Sequence, residues 1–144
     1  MNWLKNLFKK RKTVLIVEDE TENALLLTTF LTLRGFETRR SKDGVDGLQA
    51  AKKWTPDLIL LDIMMPDLDG IEVLKDLKSY PGTKNIPVLM CTVLSKIEEV
   101  EKCCRAGAQG YILKPMDLER MLDKINSVLS GRGSQEKEFF KLVN

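Results

Sequence analysis

The stretch TVLIVEDE, residues 13–20, reads as a buried strand that runs straight into a cluster of acid. Thr13–Val17 is short, rich in β-branched residues and apolar throughout after Thr13, as a strand covered on both faces should be. Glu18 and Asp19 follow without a spacer. Residues 21–34 then place Ala24, Leu27, Phe30 and Leu31 on one helical face, and Gly35 closes that helix. The same alternation repeats down the chain. Residues 36–40 (FETRR) read as a weaker strand, polar enough for a sheet edge, and 43–54 as a helix ended before Pro56. Residues 57–61 (DLILL) give a third apolar strand. A loop over 62–70 (DIMMPDLDG) follows, with Asp69 and Glu72 set to cap a helix that runs to about Lys78.

A Pro/Gly connector over 80–85 leads to a fourth strand over 86–92. Ile97, Val100 and Cys104 mark the buried stripe of the next helix, and 110–113 a short fifth strand. Leu118, Leu122, Ile125 and Leu129 form the stripe of a last helix that stops at Gly131. Strands alternating with helices imply an α/β fold, a doubly wound parallel sheet between two helical layers. Ligands of such sheets bind at the carboxyl ends of the strands, where the strand order reverses.

A length of 144 residues fits one domain, here 13–130, with an N-terminal extension (1–12) and a C-terminal tail (131–144) that carries Phe139 and Phe140. Net charge is +2, but residues 1–12 hold five basic residues and no acid, which leaves −3 for residues 13–144. That balance does not announce a nucleic-acid binder, and direct nucleic-acid binding is not expected. Trp3, Leu4, Leu7 and Phe8 recur at helical spacing beside Lys5, Lys9 and Lys10, so the extension either packs on the body, lies free, or touches an anionic membrane or acidic partner. The three cysteines, Cys91, Cys103 and Cys104, are a poor disulfide framework, and the lack of histidine excludes a Cys/His zinc site. Reduced thiols and the lack of any run of about 20 apolar residues point to a cytoplasmic protein. Cys103 and Cys104 read as one core thiol and one partly exposed thiol.

The chemistry sits at the strand ends. Glu18 and Asp19 follow the first strand, while Asp62 ends the third, Thr92 the fourth and Lys114 the fifth. Parallel strands send their carboxyl ends to one rim, so three carboxylates, a hydroxyl and an ammonium share a crevice. Crowded carboxylates raise each other's pKa unless a cation joins them. A hard divalent ion with oxygen ligands, most simply Mg²⁺, meets that need.

The motifs VLIVEDE, LILLDIMMPDLDG, VLMCT and AGAQGYILKP resemble those of the receiver domain of bacterial response regulators, across residues 13–130. The resemblance implies a flavodoxin-like (βα)5 fold with strand order 2-1-3-4-5. It implies that Asp62 is the phospho-acceptor, with Mg²⁺ held by Glu18, Asp19, Asp62 and the backbone carbonyl of Met64. Thr92 resembles the switch hydroxyl, Lys114 the phosphate-pairing ammonium, Tyr111 the switch aromatic and Lys114-Pro115 the site of a cis peptide bond. Expected partners are a sensor histidine kinase or phosphotransfer protein, and a downstream protein reached through strand 86–92, the helix after it and strand 110–113. Such a chain is a signalling switch and not an enzyme. Val93 departs from the small residue common after the switch threonine, which brings the phosphorylation rate into question. Met64 and Leu94, two residues beyond Asp62 and Thr92, are apolar and cannot orient a water, so slow self-dephosphorylation is expected. A phosphatase of the haloacid-dehalogenase type is disfavoured because Met64 cannot shuttle a proton. An interaction module that no longer uses phosphorylation is disfavoured by the complete acidic set.

Overall fold

The computed structural model describes residues 2–7, 9–63, 69–93, 97–115 and 117–131. A short helix α1 (Asn2–Leu7) precedes β1 (Thr13–Val17), α2 (Thr21–Leu33), β2 (Glu37–Ser41), α3 (Gly44–Trp54) and β3 (Leu58–Asp62). Then come α4 (Gly70–Ser79), β4 (Val88–Thr92), α5 (Ile97–Arg105), β5 (Gly110–Leu113) and α6 (Leu118–Leu129). The strands form one sheet in the order β2-β1-β3-β4-β5, every pair parallel, as the sequence implied.

Strand period divides the core in two. Val14, Ile16, Leu58, Leu60, Leu89 and Cys91 face α2 and α6, where Leu27, Leu31, Met121 and Ile125 cover them. Leu15, Val17, Ile59, Leu61, Val88 and Met90 face the other way, under α3, α4 and α5. The helices after β1 and β3 therefore leave toward opposite faces of neighbouring strands. The crevice between those two departures is the switch point of the sheet.

Several boundaries differ from the sequence reading, each for a local reason. β2 begins at Glu37 because the Phe36 N–H is taken by the end of α2, donating to Leu31 O at 3.1 Å. β3 ends on Asp62, while Asp57 stays outside the strand and its carboxylate accepts from Thr13 N (2.8 Å) and Thr13 Oγ1 (3.1 Å). β4 starts at Val88 rather than Ile86, since Pro87 has no N–H for the ladder and only its carbonyl pairs, with Ile59 N at 3.0 Å. On α5, among the described side chains, Val100 and Cys103 are buried and Cys104 is not, which turns the apolar face by one residue, while the side chain of Ile97 lies outside the described ones. Cys103 is thus the core thiol and Cys104 the partly exposed one. On α6 the fully buried side chains are Met121 and Ile125, with Leu118, Leu122 and Leu129 packed around them. Phe8, Met64, Leu94, Phe139 and Phe140 lie outside the described residues.

Gly70 fixes how α4 meets the sheet. A Cβ there would come 2.6 Å from the carbonyl oxygen of Asp62 and 2.7 Å from Ile63 Cα, both rigid backbone. The closeness lets Gly70 N donate to Ile63 O at 3.1 Å and seats the helix against the end of β3. Gly70→Ala is expected to destabilise the fold by about 1–3 kcal/mol, the usual cost of overpacking. Urea unfolding checks this, and an unchanged midpoint would show that α4 is not seated through this contact.

Candidate functional site

The carboxyl ends of β1, β3, β4 and β5 bring the expected side chains to one rim. Glu18, Asp19 and Asp62 each offer a carboxylate oxygen, and these lie within 4.8 Å of one another. Glu18 and Asp62 are buried, 3% and 4% exposed, whereas Asp19 is exposed. Lys114 Nζ donates to Asp62 Oδ2 at 2.9 Å and stands 3.9 Å from Glu18 Oε1. Thr92, also buried, ends β4, and its carbonyl accepts from Lys114 N at 2.8 Å. The Lys114-Pro115 peptide bond is cis.

Two of the expected residues stand apart from this cluster. Val93 follows Thr92 on the rim and is 61% exposed. Tyr111 is half-buried on β5 and pairs with Met90, below the level of Thr92, which pairs with Leu113. Lys124 of α6 donates to the carbonyl of Tyr111 at 2.6 Å and lies 4.9 Å from its ring centroid.

Two further residues hold the acidic pair, and sequence reasoning missed both. Asn23, in the first turn of α2, donates to Glu18 Oε1 at 3.0 Å and to Glu20 Oε2 at 2.9 Å. Arg40 of β2 grips the loop backbone, with Nε donating to the carbonyl of Glu18 (3.1 Å) and Nη2 to that of Asp19 (2.9 Å). Asn23 had only a weak signal, a short amide side chain in the first turn of a helix right after the acidic run. Arg40 had none, because its role depends on β2 lying beside β1 in a register where Ile16 pairs with Arg40.

The electrostatics follow from burial and crowding. Burial pushes the Glu18 carboxyl up from 4.5 to about 7, helped by the hydrogen bond to Asp62 and the Asp62 charge, against Asn23 and Lys114. Burial pulls Lys114 down, but the Asp62 hydrogen bond and the nearby carboxylates outweigh it and hold the ammonium above its ordinary value. Without a cation, Glu18 keeps a proton at mildly acidic pH and shares it toward Asp62. The donor set is all oxygen, three carboxylates against one ammonium, which suits a small hard divalent ion. Burial also raises the Cys91 thiol to about 12 and the Cys103 thiol to about 11, so both stay neutral and unreactive.

Comparison with known proteins gives the same answer. The sequence pattern of the response regulator receiver domain matches residues 14–126. The chain belongs to the response regulator receiver family. Among curated relatives, the polar-differentiation response regulator DivK of Brucella anthropi is 36% identical over 118 residues, covering 82% of this chain and 96% of that protein. The chemotaxis response regulator CheY4 of Vibrio cholerae superposes with a TM-score of 0.79 at 28% identity, covering 83% of this chain and 99% of that one. A CheY-like receiver domain protein of Methanospirillum hungatei gives 0.80 at 27% identity, over 88% and 99%. This receiver is therefore a two-component signalling module and not an enzyme in the ordinary sense, and a histidine kinase or phosphotransfer protein is implied upstream. No described helix is long and apolar enough to cross a membrane.

The raised Glu18 sets a pH dependence. A carboxyl that binds its proton more tightly in the folded chain than in the unfolded one costs stability as pH rises from about 4.5 to about 7, and no more above that. Lys114 stays charged throughout this window and adds no slope. In metal-free buffer the urea midpoint is expected to fall between pH 5 and pH 7.5, and Glu18→Gln should remove much of the fall. An equal slope in that variant would assign the dependence to other groups.

Proposed function

We propose that this receiver is a phospho-acceptor switch in which Asp62 takes a phosphoryl group from a histidine kinase or phosphotransfer protein. The observation that carries the reading is the buried Asp62 carboxylate, held 2.9 Å from the Lys114 ammonium inside an acidic cluster open to the rim through Asp19. An Asp62 oxygen attacks phosphorus, the bond from phosphorus to the donor's nitrogen breaks, and an acyl phosphate forms on the carboxylate. Lys114 then faces a phosphoryl oxygen instead of a bare carboxylate and keeps its charge partner. The Thr92 hydroxyl donates to another phosphoryl oxygen.

Glu18, Asp19 and Asp62 would hold Mg²⁺ here, with the carbonyl of Met64, a residue outside the described ones, as the fourth protein ligand. The ion supplies positive charge beside the oxygens of the transferring group, the main catalytic contribution in phosphoryl chemistry. Arg40 and Asn23 position the acidic pair before any ion arrives, so little of the site must reorganise.

Output rests on a change of population in the β4–α5–β5 surface. Movement of Thr92 toward the phosphoryl group would open space that the Tyr111 ring can enter, presenting a different face to a downstream protein. The exposed Val93 beside Thr92 narrows the approach to the acceptor and slows its phosphorylation. A cytoplasmic location goes with this reading, since none of Cys91, Cys103 and Cys104 is in a disulfide.

Incubating the protein with a small phosphodonor and Mg²⁺ tests the acceptor. The wild type should gain one phosphoryl group per chain by intact mass, and the adduct should be lost in base. Asp62→Ala should gain none while keeping its unfolding midpoint or raising it, because removing one crowded carboxylate relieves repulsion. A base-labile adduct on Asp62→Ala at the wild-type level would move the acceptor elsewhere.

A further inference from the structure

The end of the sheet opposite the acidic rim carries a second charged feature of opposite sign. Lys9, Lys10, Arg11 and Lys12 are all exposed and line an open cavity of about 490 Å³ whose apolar side chains are Phe36 and Leu129. Just before them, α1 turns Trp3 and Leu7 outward, 63% and 67% exposed, and their i, i+4 spacing puts them on one face. Exposing an indole and a leucyl side chain in water is unfavourable by itself, and burying either against the body would remove that cost. Here both stand free of the core clusters, next to four consecutive cations.

We propose that α1 and the basic residues 9–12 dock the receiver on an anionic phospholipid surface. Trp3 and Leu7 enter the boundary between headgroups and acyl chains, where a tryptophan ring is well accommodated. Lys9 to Lys12 face the headgroup phosphates, and the cavity they line accepts one of them. An acidic protein or a nucleic acid would satisfy the lysines but gives no reason for the exposed apolar pair. The lipid surface satisfies both at once, with charge drawing the protein in and apolar insertion holding it.

The placement has a consequence for signalling. Residues 9–12 lead into the amino end of β1, and Glu18–Asp19 leave its carboxyl end, about 16 Å away along a five-residue strand. A receiver held by its amino-end extension presents the acidic rim away from the bilayer, open to a protein partner. Docking and phosphorylation therefore use separate ends of the sheet and do not compete.

Sedimentation of the full chain with vesicles tests this. Vesicles of phosphatidylcholine with about one third phosphatidylglycerol should carry down most of the protein at low salt, and pure phosphatidylcholine vesicles should carry little. Trp3 emission should shift to the blue only with the anionic vesicles, read in a Trp54→Phe background. Two full-chain variants, Trp3→Ser with Leu7→Ser, and Lys9→Gln with Lys10→Gln and Arg11→Gln, should each lose at least about tenfold in vesicle affinity. Both should still accept phosphate from the small donor at the wild-type rate, which separates failure of docking from failure of the acceptor site. Equal binding to neutral vesicles, full binding by either variant, or binding to duplex DNA with none to vesicles would each overturn the proposal.

Discussion

The ion pair between Lys114 and Asp62 is the constraint on which the acidic rim depends. Three carboxylates with oxygens within 4.8 Å of one another, two of them buried, repel strongly in a medium that screens poorly. One ammonium, 2.9 Å from Asp62 and 3.9 Å from Glu18, offsets part of that repulsion. It arrives from β5, two strands away from β3 in the sheet order, and so bridges roughly 10 Å across β4. A long unbranched side chain on the fifth strand can do this only if β5 is fully paired, and the bond from Lys114 N to Thr92 O at 2.8 Å extends that pairing past the last strand residue. The pair leaves a net negative pocket, and burial together with that crowding raises the Glu18 carboxyl to about 7. On the proposed function, the same residual charge is what draws in a divalent cation and then a phosphoryl group. Folding and function thus draw on one electrostatic imbalance.

Much of this was legible in the sequence because the informative residues are tied to strand ends. An apolar run followed at once by acid, as in TVLIVED, fixes both the strand and the position of its carboxylates. Asp62, Thr92 and Lys114 were legible for the same reason, and the structure brings them and the acidic pair to one rim. Features that depend on register or packing were not. Arg40 reads as an exposed edge-strand charge until β2 is placed beside β1. The burial of Cys103 rather than Cys104 turns on the rotation of α5 by about 100° per residue, which a nine-residue helix with few apolar side chains does not specify. The close seat of Gly70 against Asp62 O is a backbone contact, invisible in a pattern of side chains.

The molecule is electrically polar along its strands. Acid gathers at the carboxyl rim, where Glu18, Asp19 and Asp62 converge, and base at the amino edge, where Lys9 to Lys12 enter β1. A fivefold parallel sheet makes such a separation easy, because all strand starts share one edge and all strand ends the other. Chemistry that needs a cation and chemistry that needs an anion can then be placed on one small body without interference. The interior strand β1 links them physically, since it carries the basic arm at one end and Glu18 at the other.

Beryllofluoride, a stable mimic of a phosphoryl group, tests the central claim most directly. Its binding to the purified protein can be followed by fluorine NMR as Mg²⁺ is added. The account predicts one saturable site per chain that forms only with a divalent ion and is lost in Asp62→Ala. It also predicts that the Thr92 and Tyr111 resonances shift on binding. Binding that needs no divalent ion, or that survives Asp62→Ala, would contradict the claim that this acidic rim is a phosphoryl site.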